Sequence, residues 1–202
     1  MTAHSTLTRA DYENYLISLY FGSDQDLLKA CINRAYRDFN RTLRGFGKFE
    51  NVDEIYSQAI SFLKDSLESL KSLSTSQVTA EVFDNWHKLT CERIISLFDS
   101  HGYHLFVGQA QKWVNMTLKY IFTVGDRRIP GFEAAYHHCH VPLGNIILRQ
   151  LEKYGFPKLN CAWSRLDDYG EYLQKQNWIR QNFSLVPLDI EFILWLRKEI
   201  EP

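Results

Sequence analysis

The stretch Phe106–Tyr120, FVGQAQKWVNMTLKY, is the most informative part of this chain for its fold. Its apolar residues recur at intervals of three and four, which predicts an amphipathic helix that opens at Gly108. Glycine lets a backbone turn sharply or lets another backbone approach closely. The first amides of such a helix are free donors at the positive end of the helix dipole, so its start suits a phosphate.

Lys112 lies one turn into this predicted helix. Cationic neighbours and the positive end of the dipole both lower the pKa of an amine, which leaves more neutral lysine for nucleophilic attack. Spacing alone favours a simpler interpretation, an amphipathic helix that carries one exposed lysine. Both interpretations stay open on this evidence.

Apolar residues recur at intervals of three and four in the rest of the chain as well, and the alternation of apolar and polar residues that is typical of strands is absent. Hydrophobic residues make up 45% of the 202 residues, which is ample for a packed core. We therefore predict a single compact all-α domain over residues 1–202, and if it has two lobes, their boundary lies near 74–79 or 100–107. The predicted helices cover residues 8–21, 23–44 (starting at Ser23 or Asp24), 52–73, 79–99, 108–124, 142–154, 165–180 and 187–199.

The net charge of −1 argues against a nucleic-acid-binding protein, but its distribution does not. Residues 29–48 carry six Lys/Arg and one Asp, and residues 108–158 carry seven Lys/Arg and three acids. If these two segments lie side by side, they present one positive surface to a phosphate backbone.

The chain shows no feature of a membrane or secreted protein. No apolar run approaches the ~18 residues that span a bilayer, and the start MTAHSTLTRADYENY lacks the pattern of a signal peptide. The cysteines are scattered without paired spacing, which indicates free thiols in a reducing compartment. We expect a cytoplasmic monomer without metal or cofactor.

Four arginines follow one another along the second predicted helix: Arg34, Arg37, Arg41 and Arg44. At about 100° per residue they form one narrow stripe beside an apolar face. Like charges at this spacing repel by a few tenths of a kcal/mol per adjacent pair, so an opposite charge has to offset them. The partner is either a DNA phosphate backbone or the acidic helices within residues 50–99.

Two segments resemble the helix-hairpin-helix DNA glycosylases. The pattern V-G-x-x-x-K-x-x-N-x-x-L, residues 107–118, is similar to their hairpin-plus-lysine signature. The stretch His140–Leu148, HVPLGNIIL, is similar to their second signature, an apolar-Pro-apolar-Asp segment that opens a helix. The separation of the two is most similar to the archaeal 8-oxoguanine glycosylase branch. There is also a likeness to small bacterial glycosylases that defend against phages by excising modified cytosines.

The resemblance implies an all-α fold whose lobes flank a cleft for double-stranded DNA, with the target base flipped out. It assigns Lys112 as the nucleophile at the sugar C1′ and Gly108 to a phosphate-gripping hairpin. We expect DNA contacts from Gln109, Gln111 and Asn115, and a base pocket that includes Trp113.

Gly144 stands where the family has its catalytic aspartate. Three explanations are open: the activity has been lost, a substitution has disabled it, or another carboxylate serves. The candidates for such a carboxylate are Asp167 and Asp168, which adjoin Trp163. The alternative function is therefore a non-catalytic helical module that binds nucleic acid or another partner.

Two further groups of residues remain ambiguous. His137, His138 and His140 either line the base pocket, share a metal ion, or belong to a plain polar loop. Trp163 beside Asp167 and Asp168 suits a stacked, hydrogen-bonded nucleobase, whereas the same residues also fit core packing and first-turn charges of a helix.

Overall fold

The computed structural model describes residues 6–23 and 25–200, and within them it contains helices and no strand. The predicted all-α class is confirmed. The α-helices are α1 (Arg9–Phe21), α2 (Leu27–Phe39), α3 (Val52–Lys71), α4 (Ala80–Ser100), α5 (Val107–Val124), α6 (Asn145–Leu151), α7 (Tyr169–Asn182) and α8 (Pro187–Trp195). Short 3-10 turns cover Asn40–Thr42, Phe46–Lys48, Glu133–His138, Glu152–Tyr154 and Trp163–Arg165.

Helix α5 is the centre of the fold and is buried along almost its whole length. Helix α2 packs against it with an apolar face that includes Ile32 and Phe39. Trp113 fills the junction, because its ring contacts Tyr36 and Phe39 and stacks on Tyr56 at a centroid distance of 6.1 Å. A helix surrounded in this way is held by the surface it buries rather than by its intrinsic propensity.

The buried apolar residues form two clusters. One draws on helices α1 to α5. The other draws on residues 141–200 together with Val107, at the start of α5. Ile95 and Leu148 pack against both clusters, so the two are continuous. The lobe boundary near 74–79 or 100–107 stays a prediction.

Helix α2 ends five residues earlier than predicted. The prediction ran to Arg44, whereas the helix stops at Phe39 and Asn40–Thr42 turns as a 3-10 segment. The Thr42 hydroxyl donates to the Phe39 carbonyl at 2.7 Å, which satisfies one of the last carbonyls of the helix. Asp26 caps the start of α2. Asp24, one of the predicted starts, lies outside the described residues.

Helices α6 and α7 begin after their predicted starts, whereas α8 begins at Pro187 as predicted. Helix α6 opens at Asn145 rather than at Pro142, because Pro142 and Gly144 are not helical and Gly144 is extended, with φ −170°. Helix α7 opens at Tyr169 with Asp168 as its cap, not with the capping box predicted at Ser164 and Asp167.

Among the described residues, no helix has both the length and the apolar composition that a bilayer crossing demands.

Candidate active site

Four residues in the middle of α5 keep a small contact with solvent. Lys112 is 8% exposed, Met116 5%, Lys119 6% and Tyr120 5%. These four residues recur at intervals of three, four and seven, so they share one side of the helix. We call Lys112, Met116, Lys119 and Tyr120 the amine face, because two of its side chains end in amines.

The Lys112 amine lies against the segment that precedes α6. Its Nζ donates to the Pro142 carbonyl oxygen at 3.4 Å. A Cβ built on Gly144 would lie 3.1 Å from the same Nζ and 3.5 Å from Cε. Because the backbone of Gly144 is extended, glycine is not required there by its φ angle. The glycine instead leaves the space beside the amine free of a side chain.

Burial lowers the pKa of Lys112 to about 8, because the ammonium form loses its hydration. The negative charges of Glu191 and Asp38 oppose this shift, and the positive charge of Lys119 adds to it. No carboxylate of the described residues forms an ion pair with Lys112 within 4.0 Å. A substantial fraction of this amine is therefore neutral near pH 8.

A second lysine of the amine face is paired with a buried carboxylate. Lys119 Nζ lies 2.5 Å from Glu191 Oε2, and Glu191, on α8, is 1% exposed. Apart from this ion pair, neither oxygen of Glu191 has a hydrogen-bond partner among the residues that the structure describes. The Lys119 amine also lies 4.9 Å from the ring centres of Phe192 and Trp195.

Sequence reasoning missed this ion pair. Beside it, Trp195 is 49% exposed and Leu196 is exposed as well. The signal that could have been used is Glu191 itself, a lone acid among apolar residues in IEFILWL. Helical spacing places it on the side of Leu188, which is buried.

At Tyr120, the amine face meets tyrosine and charged side chains of α1 and α2. Tyr120 donates to Asp38 at 2.5 Å, and its hydroxyl lies 3.1 Å from that of Tyr20. Arg34 pairs with Asp38 at 2.9 Å and lies 4.4 Å from the centre of the Tyr20 ring. Arg34 is thus engaged within the protein.

The other predicted arginines, Arg37, Arg41 and Arg44, are exposed. They have no ion pair with any described carboxylate, and none of the four arginines pairs with residues 50–99. Because α2 ends before Arg41, the predicted continuous stripe is wrong. Arg37 lies in the last turn of α2, and Arg41 and Arg44 follow the end of the helix.

Gly108 does not form a phosphate-gripping hairpin, and that prediction is corrected. Its N–H donates to the Leu166 carbonyl at 2.8 Å, so the amide is occupied. A Cβ built on Gly108 would lie 1.7 Å from the Trp163 carbonyl oxygen. The glycine is required because the backbone of Trp163–Arg165 covers the start of α5.

Gln111 and Asn115 are buried, so the predicted DNA contacts are corrected. Gln111 donates to the Leu143 carbonyl at 3.2 Å and accepts from the Leu143 N–H at 3.3 Å. Asn115 donates to Gln111 at 3.0 Å and to the Tyr172 hydroxyl at 2.8 Å. These amides hold the segment beside Gly144 in place.

Gln109 and Trp113 are buried as well, and their predicted roles at the DNA and in the base pocket are corrected. Gln109 donates to the Thr42 carbonyl at 3.1 Å and to the Thr42 hydroxyl at 3.0 Å. The Trp113 indole N–H donates to the Ile32 carbonyl at 3.1 Å. Both side chains join α5 to α2.

The predicted histidine group is dispersed, with His137 exposed and His138 half-buried. His140 is fully buried, so its assignment to a base pocket is corrected. Its Nε2 lies 2.7 Å from Asp84, and its Nδ1 lies 2.9 Å from the Tyr172 hydroxyl. Burial lowers the pKa of His140 to about 4. Within the described residues, no group of three or more potential ligands could hold a metal ion.

Asp167, Asp168 and Trp163 do not lie with the Lys112 amine. Asp168 caps α7 through the Glu171 N–H at 2.9 Å, and Asp167 lies 3.0 Å from His104. Neither aspartate is among the charges that shift the pKa of Lys112. Trp163 is buried over Gly108 and borders a separate cavity of about 260 Å³. Glu191 and Asp38 are the carboxylates whose charges reach the amine.

Comparisons of the chain with protein-family models, with curated proteins and with solved structures find no match. The chemistry of the amine face is therefore the basis on which a function can be proposed.

Proposed function

We propose that the protein is a DNA glycosylase that flips a damaged or modified base from a duplex and removes it with Lys112 as the nucleophile. The observation that carries this proposal is the contact between Lys112 and Gly144. These are the two positions that match the lysine and the aspartate of the glycosylase signatures. They come from separate segments of the chain, and Lys112 keeps 8% exposure to solvent.

The proposed chemistry starts from the neutral amine. The lone pair of Nζ forms a bond to C1′ of the flipped nucleotide, the bond from C1′ to the base breaks, and its electron pair leaves with the base. The proton lost by the new ammonium neutralises the departing base. Opening of the sugar ring at O4′ gives an imine at C1′, and water then releases the aldehyde and restores the amine.

Two groups of exposed side chains are candidates for contacts to the substrate. The half-exposed Trp195 ring offers a surface on which a flipped base stacks. Arg37, Arg41 and Arg44 are exposed and form no ion pair with a described carboxylate, so they suit contacts to the phosphate backbone. Such contacts add affinity without selecting a sequence.

The test uses a duplex with one preformed abasic site and sodium borohydride, which reduces the imine to a stable adduct. We expect the protein to become linked to this DNA and the Lys112→Ala variant to give no adduct. Lys88→Ala is the control, since Lys88 is exposed and paired with Glu92 on α4. An adduct of equal yield in Lys112→Ala removes the lysine from the mechanism.

Base removal is then measured on duplexes that carry 8-oxoguanine, uracil or glucosylated hydroxymethylcytosine. Alkali cleaves the strand wherever a base has been lost. Cleavage on the modified-cytosine duplex supports a role in defence against phages with modified DNA, whereas cleavage on 8-oxoguanine supports a role in repair.

One observation favours a second candidate, a module that binds DNA without cutting it. Gly144 provides no carboxylate beside Lys112, and charge stabilisation is usually the largest single catalytic contribution. Tight binding to duplex DNA, together with neither base loss nor adduct on any of these substrates, supports this candidate over the glycosylase.

A further inference from the structure

A cavity of about 260 Å³ lies between the start of α6 and the Trp163–Arg165 turn, and none of its lining residues belongs to the amine face. Its apolar wall comes from these two segments and from the chain between them: Leu148, Phe156, Leu159, Ala162 and Trp163. Pockets for drug-sized ligands measure about 300 to 1,000 Å³. This cavity therefore suits a smaller ligand, of the size of a nucleobase with its sugar.

The indole N–H of Trp163 is a free donor at this cavity. Trp163 is 8% exposed, and its N–H reaches no hydrogen-bond acceptor among the described residues. The side-chain atoms of these residues that are both sealed from solvent and unpartnered belong to Asn115 and Glu191, so solvent reaches the Trp163 N–H. Because Trp163 lines the cavity, we place this access there. A buried indole N–H usually finds an acceptor, which a ligand in the cavity would supply.

Four polar side chains complete the lining of the cavity: Asn145, Arg149, Glu152 and Lys158. None of them forms a side-chain hydrogen bond or an ion pair with another described residue. Arg149 and Glu152 are three residues apart, a spacing at which opposite charges often pair, yet their charged atoms do not approach within 4.0 Å. These polar groups are therefore available to a ligand.

The rim of the cavity carries an excess of positive charge. Arg149 and Lys158 are accompanied by a single acid, Glu152. Lys175 adds a further amine, since its Nζ donates to the Lys158 carbonyl oxygen at 3.3 Å. Because no described carboxylate pairs with these three cations, the rim attracts an anionic group. A guanidinium group also binds phosphate through two parallel hydrogen bonds.

We propose that this cavity binds a free nucleoside monophosphate. The base packs against the apolar wall, and one of its ring nitrogen or carbonyl atoms accepts the hydrogen bond of the Trp163 N–H. The Asn145 amide pairs with the edge of the base, and the Glu152 carboxylate accepts from the ribose hydroxyls. The phosphate lies at the rim, where Arg149 and Lys158 neutralise it. The proposal does not depend on the glycosylase function, because the cavity shares no residue with the amine face.

A thiol in the lining of the cavity reports on its occupancy. Cys161 lines the cavity and is exposed, whereas Cys31, Cys91 and Cys139 are buried. The rate at which dithiobis-nitrobenzoate modifies Cys161 is measured with AMP, GMP, CMP and UMP at concentrations up to about 10 mM. We expect at least one of these nucleotides to slow the reaction in a saturable way, which gives its Kd. Inorganic phosphate alone, at the same concentrations, is expected to give no protection.

Matched variants locate the bound nucleotide. Arg149→Gln removes a charge-assisted hydrogen bond to the phosphate and is expected to raise the Kd about tenfold. Lys153→Gln is the control, because it changes the net charge equally, while Lys153 does not line the cavity and donates to Gln150 at 2.7 Å. Trp163→Phe keeps an aromatic ring without the N–H, and it is expected to raise the Kd several-fold. The Kd comes from the concentration dependence, so a changed starting rate of Cys161 does not affect it.

Four results would overturn the proposal. The first is no protection of Cys161 by any of the four nucleotides. The second is equal protection by inorganic phosphate, which makes the rim a simple anion site. The third is protection by a short single-stranded oligonucleotide but by no mononucleotide. The fourth is an equal Kd in Arg149→Gln and Lys153→Gln, which places the nucleotide elsewhere. The glycosylase test follows Lys112, so either proposal can fail while the other stands.

Discussion

Gly108 lies directly beneath the carbonyl oxygen of Trp163, so close that a Cβ would stand 1.7 Å from that oxygen. The contact joins the start of α5, which carries Lys112, to the Trp163–Arg165 turn, and the Gly108 N–H bond to Leu166 reinforces it. Two backbone segments meet here, and neither can move aside as the end of a flexible side chain can.

Gly108→Ala is therefore expected to destabilise the fold. The added methyl group has to displace backbone, so we expect the free energy of unfolding to fall by about 3 kcal/mol or more. Urea unfolding followed by circular dichroism measures the change. Gly47→Ala is the matched control, because no atom lies within 4 Å of a Cβ built there. Equal effects of the two substitutions contradict the role of the close approach.

Gly144→Asp is expected to raise the pKa of Lys112 above its present value of about 8. The extended backbone at Gly144 accepts a side chain, and the tight contact is with the flexible end of Lys112. A carboxylate within reach of the amine favours the ammonium form by about one to three pKa units. Formaldehyde with cyanoborohydride methylates neutral amines, and the pH dependence of this methylation at Lys112, followed by peptide mass spectrometry, measures the shift.

Gly144→Asn is the control for that substitution, since it adds similar volume without charge. If the glycosylase proposal holds, Gly144→Asp also increases base release, whereas Gly144→Asn does not. A methylation midpoint that is the same in both variants shows that position 144 does not communicate with the amine.

The buried histidine His140 predicts how stability depends on pH. Its pKa is about 4 in the folded protein, and an unfolded histidine has a pKa near 6.5. Between these values the unfolded chain binds a proton that the folded protein does not. The neutral, buried His140 therefore makes its full contribution to the free energy of unfolding above about pH 6.5, and this contribution is lost as the pH falls toward 4. The loss amounts to roughly 3 kcal/mol.

His140→Gln is expected to make this fall shallower between pH 6.5 and 4. We also expect the free energy of unfolding of the variant to be about 2 kcal/mol lower at pH 7, because Asp84 and Tyr172 lose their buried hydrogen bonds to the imidazole ring. Urea unfolding at several pH values separates the slope from the offset. His137→Gln, at an exposed position, serves as the control. An unchanged slope in His140→Gln assigns the acid sensitivity to other groups.

The sequence predicted the helical class well and the ends of helices less well. Periodicity located the centres of α3, α4 and α5, because each buries an apolar face of several turns. The ends were misplaced where distant contacts decide them. Thr42 stops α2 while also accepting a hydrogen bond from Gln109, a residue of α5. No local pattern contains that partner.

The candidate site was predicted in part. Lys112 and the significance of position 144 followed from the sequence, but their contact required coordinates. Glu191 was missed because its partner Lys119 lies on another helix and the residues around it resemble core. The polar residues of α5 were placed at the surface because the spacing predicts an amphipathic helix. A central helix instead buries Gln111 and Asn115, whose side-chain N–H groups donate to Leu143 and Tyr172. Among the described residues, the Asn115 Oδ1 finds no hydrogen-bond partner.

The exposed arginines Arg37, Arg41 and Arg44 are expected to bind duplex phosphates, since no carboxylate of the described residues neutralises them. Replacing all three by Gln removes three phosphate contacts, which lowers the slope of log affinity against log salt by about 3 units. Fluorescence anisotropy with a labelled duplex between about 50 and 200 mM salt measures that slope.

The matched control replaces three basic residues of α3 and α4, Lys71, Lys88 and Arg93, by Gln. It changes the net charge by the same amount, but Lys71 and Lys88 already pair with carboxylates of their own helices. If binding depended only on the total charge, both triple variants would weaken it equally. If only the Arg37/Arg41/Arg44 variant loses affinity for the duplex, the DNA binds near the end of α2. A diffuse electrostatic attraction would not distinguish between the two surfaces.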